Sequence, residues 1–108
     1  MNIKTEEKNG YVIVRLDGEV DLQTSPEVRK ALLSFVDRKR NVVVSLGEVE
    51  YIDSSGVASL VEAYQSSRKK GCKFSLADVS ASAMRVLQLA RLDKVFTIHA
   101  TLDDAVAG

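Results

Sequence analysis

The chain has 108 residues, 45% apolar and 28% charged, and its fifteen basic and fifteen acidic side chains cancel to a formal net charge of zero. These are the proportions of an ordinary globular domain, and the length suits one domain rather than two. Neutrality and 6% aromatic residues argue against nucleic acid or an anionic membrane as partner, since both call for a basic field and the former for stacking rings.

Ile3 to Glu7 and Tyr11 to Leu16 read as two strands, with Val12, Val14 and Leu16 alternating on one face. Asn9-Gly10 between them is a hairpin signal, because a type I′ turn needs positive φ at both central positions. Asp17 to Thr24 is polar and acidic and is expected to be a loop. Ser25-Pro26-Glu27 opens a helix, with Ser25 as N-cap and proline at the first helical position. A capping box from Thr24 to Glu27 is the competing arrangement. The helix is expected to end near Asp37, with Val28, Ala31, Leu32, Phe35 and Val36 as its apolar stripe. Arg38-Lys39-Arg40 then reads either as a phosphate-binding patch or, more commonly, as a solvated helix end favoured by its cations.

Asn41 to Leu46 is a strand, apolar on both faces at Val42 to Leu46 as a strand covered by helices should be. The stretch Val49-Glu50-Tyr51-Ile52-Asp53-Ser54-Ser55-Gly56-Val57-Ala58 joins it to a helix that begins near Ser55. Two hydroxyls there follow a carboxylate and precede a glycine. The first turn of a helix has unpaired amides and a partial positive charge, so a phosphate on Ser54 or Ser55 would be welcome there. The plainer reading is that Asp53 or Ser54 is only an N-cap.

Val57, Leu60, Val61 and Tyr64 mark the core side of this helix, which closes on Arg68-Lys69-Lys70 and Gly71, a residue suited to a left-handed C′ position. Lys73 to Ala77 is a short strand. Ser80 can cap a third helix striped by Ala83, Val86, Leu87 and Ala90. Val95 to Ile98 is expected to be the last strand, and Thr101-Leu102-Asp103-Asp104 opens a short final helix. The order ββαβαβαβα predicts an α/β domain, a mixed four- to five-stranded sheet with an N-terminal hairpin and about four packed helices. The loops after the second and third strands then leave the same side of the sheet, where such folds meet their ligands.

Enzymatic patterns are missing. A nucleophile elbow needs Gly-x-Ser-x-Gly, but Ile52 stands two before Ser54 and Asp53 two before Ser55. His99 is the lone histidine and no triad can be built from it. Neither glycine-rich nucleotide loop is present, and one cysteine with one histidine makes no zinc set. Cys72 reads as an inert thiol rather than a reactive one, and forms no internal disulfide. No catalytic residue, metal or cofactor is expected. No apolar run approaches the ~20 residues of a membrane span, and no secretory signal follows Met1, so a cytoplasmic location is expected.

Tyr51-Ile52-Asp53-Ser54-Ser55-Gly56-Val57 resembles the phosphorylation motif of anti-sigma factor antagonists, the stand-alone STAS domains of bacteria. Gly18-Glu19-Val20-Asp21 is similar to the second hallmark of that family, and the resemblance spans residues 1–108 as a single STAS domain. It implies a protein that binds an anti-sigma factor, itself a serine kinase, and so frees a sigma factor for transcription. It implies further that the kinase phosphorylates Ser54, with Ser55 the runner-up, and that a metal-dependent serine phosphatase reverses the step. Glu19, Val20, Asp21, Asp53, Ser55 and Gly56 would then lie in or shape the partner interface. Ala58 departs from a glycine common in the family. The expected switch acts at the interface, by the charge and bulk of the phosphate, with little change of fold. The alternative within the same resemblance is a docking subunit of an ABC-type lipid transporter or a signalling scaffold, with no sigma partner.

Overall fold

The structure, a computed structural model, describes residues 1–107. Strands β1 (Asn2–Lys8) and β2 (Tyr11–Val20) form the antiparallel hairpin, and Asn9 and Gly10 take φ of 53° and 83° at its turn, as the Asn-Gly pair predicts. Helix α1 (Ser25–Asp37) leads to β3 (Asn41–Ile52), α2 (Ser54–Lys69) to β4 (Phe74–Ala77), and α3 (Ala81–Leu89) to β5 (Thr97–His99). A single turn, α4 (Leu102–Ala105), follows. The five strands lie in the order β1-β2-β3-β4-β5, with β2 to β5 parallel. The expected ββαβαβαβα α/β architecture is therefore the observed one.

The strand alternation decides what each face meets. Val12, Val14 and Leu16 of β2 and Val42, Val44 and Leu46 of β3 point to the face covered by α1, α2 and α3, where they pack with Val28, Leu32, Val36, Leu60 and Leu87. Each such aliphatic side chain, fully removed from water, contributes roughly 1.5–3 kcal/mol. Ile13, Val43 and Ala77 point the other way, to a smaller cluster closed by Ala105 and Val106 at α4.

Four expectations are corrected. Asp17 to Val20 is not loop but the end of β2, and β3 runs six residues past Leu46, to Ile52. The two strands stay paired because β3 takes up two extra residues, one where Arg15↔Ser45 gives way to Asp17↔Glu48, one where Gly18↔Val49 gives way to Glu19↔Tyr51. Gly18, at φ +104°, sits beside the second shift in a conformation that side-chain-bearing residues rarely adopt. The start of α1 also differs. Ser25 is inside the helix and buried, and Thr24 precedes it without a side-chain cap, because the Thr24 hydroxyl is engaged by Glu19 and Asp21. Lastly, β5 begins at Thr97, since the Leu92 carbonyl accepts from the amides of Val95 and Phe96, each at 3.0 Å, and holds them in a turn.

Other termini follow the sequence. Ser80 caps α3 through the Ala83 amide (3.2 Å) while its hydroxyl donates to the Val49 carbonyl (2.7 Å). Gly71 closes α2 at φ +72°. In the Arg38-Lys39-Arg40 run, Arg38 lies over the Phe35 ring and Arg40 pairs with Glu7, which leaves a helix end rather than a cationic pocket.

Candidate functional site

The carboxyl ends of β2 and β3 lie side by side. Val20 pairs with Ile52, and the Asp53 amide donates to the Val20 carbonyl at 3.1 Å. Asp21 and Asp53 are thus the first residues past two paired strand ends. Both motifs singled out in the sequence meet at this one edge, where parallel sheets bind their ligands.

Asp53 has extended backbone, and its Oδ1 accepts from the amides of Ser55 (2.9 Å) and Gly56 (3.2 Å). Its carbonyl takes the Val57 amide at 3.0 Å. Of the capping alternatives, the structure selects Asp53 as N-cap and makes Ser54 the first helical residue. The Ser54 side chain is exposed, and its hydroxyl has no hydrogen-bond partner among the described residues. One detail of the phosphate expectation changes. The amides that a phosphate would use at this helix start are already held by a carboxylate, so a phosphate on Ser54 would meet charge of its own sign.

Ser54 and Ser55 face different sides. Ser55 is half-buried and lines a cleft between α1 and α2 with Ser25, Arg29, Ser59 and Glu62. Ser54 lies at a groove of about 650 Å³ between α2 and α3, lined by Val57, Ala58, Val61, Val86 and Leu89. Leu89 is 81% exposed there, the most exposed large apolar side chain of the molecule's described residues. Across the other cleft Arg29 meets Glu62 at 2.7 Å; the hydrogen bond the guanidinium donates to the Glu62 carboxylate, and then the charge of that carboxylate, raise it above its ordinary pKa.

The α2 start is held against the sheet by Gly56. A β-carbon there would lie 2.6 Å from Val20 Cγ1, 2.8 Å from Ile52 Cγ1 and 2.9 Å from the Val20 carbonyl oxygen. Only hydrogen fits in that contact. Val20 is fully buried and Gly56 is buried too, so neither offers side-chain surface to a partner; they place the residues that do. Glu19 is exposed. Asp21 is half-buried and organises its own loop, with Oδ1 accepting from the amides of Gln23 (3.0 Å) and Thr24 (3.1 Å). The Thr24 hydroxyl in turn donates to the Glu19 carbonyl (2.9 Å) and accepts from the Asp21 amide (2.9 Å). Thr24 and the buried Ser59, whose hydroxyl lies 3.3 Å from the Ser25 carbonyl, are residues that the sequence reading did not assign to the site. Nothing in their spacing distinguishes them from any other threonine or serine.

A family model described as the STAS domain matches residues 2–105. The chain belongs to the STAS domain family. It is 32% identical over 101 residues to the anti-sigma F factor antagonist of Paenibacillus polymyxa, an alignment that covers 92% of this chain and 86% of that protein. The crystal structure of an anti-sigma factor antagonist from Mycobacterium paratuberculosis superposes with a TM-score of 0.90 at 29% identity, covering 98% of this chain and 91% of the other. The STAS fold is shared as well with the unphosphorylated form of the anti-sigma factor antagonist SpoIIAA (TM-score 0.82, 19% identity, covering 97% and 93%).

The geometry of this STAS domain offers a presented hydroxyl beside carboxylates. His99 sits at the end of β5, with its carbonyl bonded to the Asp78 amide. Among the described residues no group of three histidine, cysteine, aspartate or glutamate side chains could hold a metal ion, and no helix is long and apolar enough to cross a membrane.

Proposed function

We propose that this chain is an anti-sigma factor antagonist: unphosphorylated, it binds an anti-sigma factor that is also a serine kinase, and phosphorylation of Ser54 ends the association. The observation that carries this reading is the division of labour at the start of α2. Asp53 caps the helix, so the Ser54 hydroxyl is exposed and free of any structural duty. The similarity to relatives named anti-sigma factor antagonists supports it.

In this reading residues 1–108 act as a single cytoplasmic binding domain without catalysis of its own. Glu19, Asp21, Asp53 and Ser55 border the partner, Val20 and Gly56 fix their placement, and a metal-dependent serine phosphatase resets the protein. A phosphate brings about −1.5 to −2 charge to an edge that already holds Asp53 and Asp21, so release is electrostatic and steric. The test is incubation of the protein with its anti-sigma factor and ATP, followed by peptide mapping. A phosphate on Ser54 and loss of the complex are expected. A phosphate on Ser55 would move the switch into the α1–α2 cleft, and a stable complex with no phosphate transferred would leave a docking subunit instead.

A further inference from the structure

At the end of the sheet opposite Ser54, a cavity of about 270 Å³ opens beside the first residues of β2, β4 and β5. Its polar lining includes Tyr11, Arg68, Lys73, Ser75, Thr97 and His99, and no aspartate or glutamate lines it. Lys8, Arg15, Arg29, Arg40 and Lys70 are paired with carboxylates, and Arg68 and Lys73 are two of the ten basic side chains that form no ion pair among the described residues. Arg68 is held in place by stacking over Tyr64 at 5.8 Å, and Tyr64 is itself packed edge-on against Phe74 and Phe96.

The hydroxyls of two largely buried residues are the second observation. Tyr11 and Ser75 are each only 8% exposed, and neither hydroxyl has a hydrogen-bond partner among the described residues. No sealed side-chain oxygen or nitrogen among the described residues lacks a partner, so these two must open into the cavity they line. Both hydroxyls therefore reach solvent and stand free to donate to a bound acceptor. The wall opposite is fixed rather than loose. Ala105 of α4 forms it, and the α4 segment is fastened by Asn9 Nδ2 donating to the Val106 carbonyl (3.0 Å) and by Lys8 paired with Asp103 (3.1 Å).

We infer that this cavity is a binding site for a small phosphate-bearing anion, its charge held by Arg68 and Lys73 and its oxygens met by the hydroxyls of Tyr11, Ser75 and Thr97. The donor count favours phosphate over carboxylate, because a guanidinium, an ammonium and three hydroxyls exceed what two oxygens can accept. The volume limits the ligand to a compact one, below the usual range of drug-sized pockets. This inference stands apart from the phosphorylation of Ser54, which lies past the other end of the same parallel strands.

The full chain, labelled with nitrogen-15, is titrated with sodium phosphate at fixed pH, alongside sodium chloride at equal ionic strength and sodium acetate. Saturable shifts confined to the amides around Lys73, Ser75, Thr97 and Ala105 are expected with phosphate, and acetate should bind about tenfold more weakly or worse. Arg68→Gln and Lys73→Gln, both surface changes that leave the core intact, should each weaken phosphate by about tenfold. Ser75→Ala serves as a third variant with no change of charge and should weaken it less. Shifts reproduced by chloride, shifts centred on Arg38 and Lys39 instead, equal binding of acetate, no saturable shift, or undiminished binding by the two glutamine variants would each overturn the assignment.

Discussion

The carbonyl oxygen of Val20 accepts the Asp53 amide at 3.1 Å, and the same oxygen would lie 2.9 Å from a β-carbon placed on Gly56. One backbone atom at the end of β2 therefore sets both the cap of α2 and the closeness of its first turn. Everything exposed at this edge depends on that contact, because Ser54 lies between the two residues it positions.

Gly56→Ala should accordingly cost about 1–3 kcal/mol, the usual penalty of overpacking a closed contact, although alanine is the better helix former. Urea unfolding of the isolated protein measures it. An unchanged midpoint would mean that α2 can slide away from Val20 without loss, and the rigid placement of Ser54 would then be wrong.

Asp53→Ala removes the acceptor of two amides and should cost about 1 kcal/mol, the typical loss of an N-cap. Asparagine keeps an acceptor at the same place, so Asp53→Asn should recover most of that stability. The pair of midpoints separates capping from charge.

Ser54→Ala should change stability by less than ~0.5 kcal/mol, since an exposed hydroxyl without a partner is removed. It should also leave the protein able to bind its partner and unable to accept phosphate. Ser54→Asp is expected to lose the partner while its backbone amide spectrum stays that of the unmodified protein away from residues 53–57. A spectrum altered throughout the sheet would show that the switch works through the fold.

Asp21→Asn tests the acidic edge. The amide side chain still accepts from the Gln23 and Thr24 amides, so the loop should keep its shape and the unfolding midpoint should move by less than ~0.5 kcal/mol. With one carboxylate gone from the edge, the Ser54 phosphoform should release its partner less completely than in the parent protein. Calorimetry of both phosphoforms against the anti-sigma factor gives the comparison.

The parts of the fold read correctly from sequence are those where local chemistry and burial agree: the Asn9-Gly10 turn, the Ser80 cap, the stripe of α1 and the Gly71 stop. The parts misread are those where a tertiary contact overrules a local preference. Thr24 and Ser25 look like caps, but Thr24 is taken by the Asp21 loop. The distal half of β3 was hidden for a different reason. Its buried residues are Leu46, Val49 and Ile52, spaced by three because each extra residue displaces the alternation by one. A period of two is what marks a strand, and this one lacks it. The candidate site was legible as two short motifs. That Asp53 rather than Ser54 does the capping depends on a backbone geometry that no residue identity specifies.

The two extra residues of β3 have a genetic corollary. Side chains alternate between the faces of a sheet, so one inserted residue reverses every position beyond it and a second restores them. A deletion of a single codon between Leu46 and Ile52 would leave the helix-covered core of Val42, Val44 and Leu46 intact, and unless the strand gave up one of its two extra residues the far end would turn over. Ile52 would then point to the wrong face, and Asp53 and Ser54 would follow it. A strand that gave up an extra residue would keep Ile52 buried, whereas one that turned over would lose about 1.5–3 kcal/mol of burial at Ile52, and the unfolding midpoint tells the two apart.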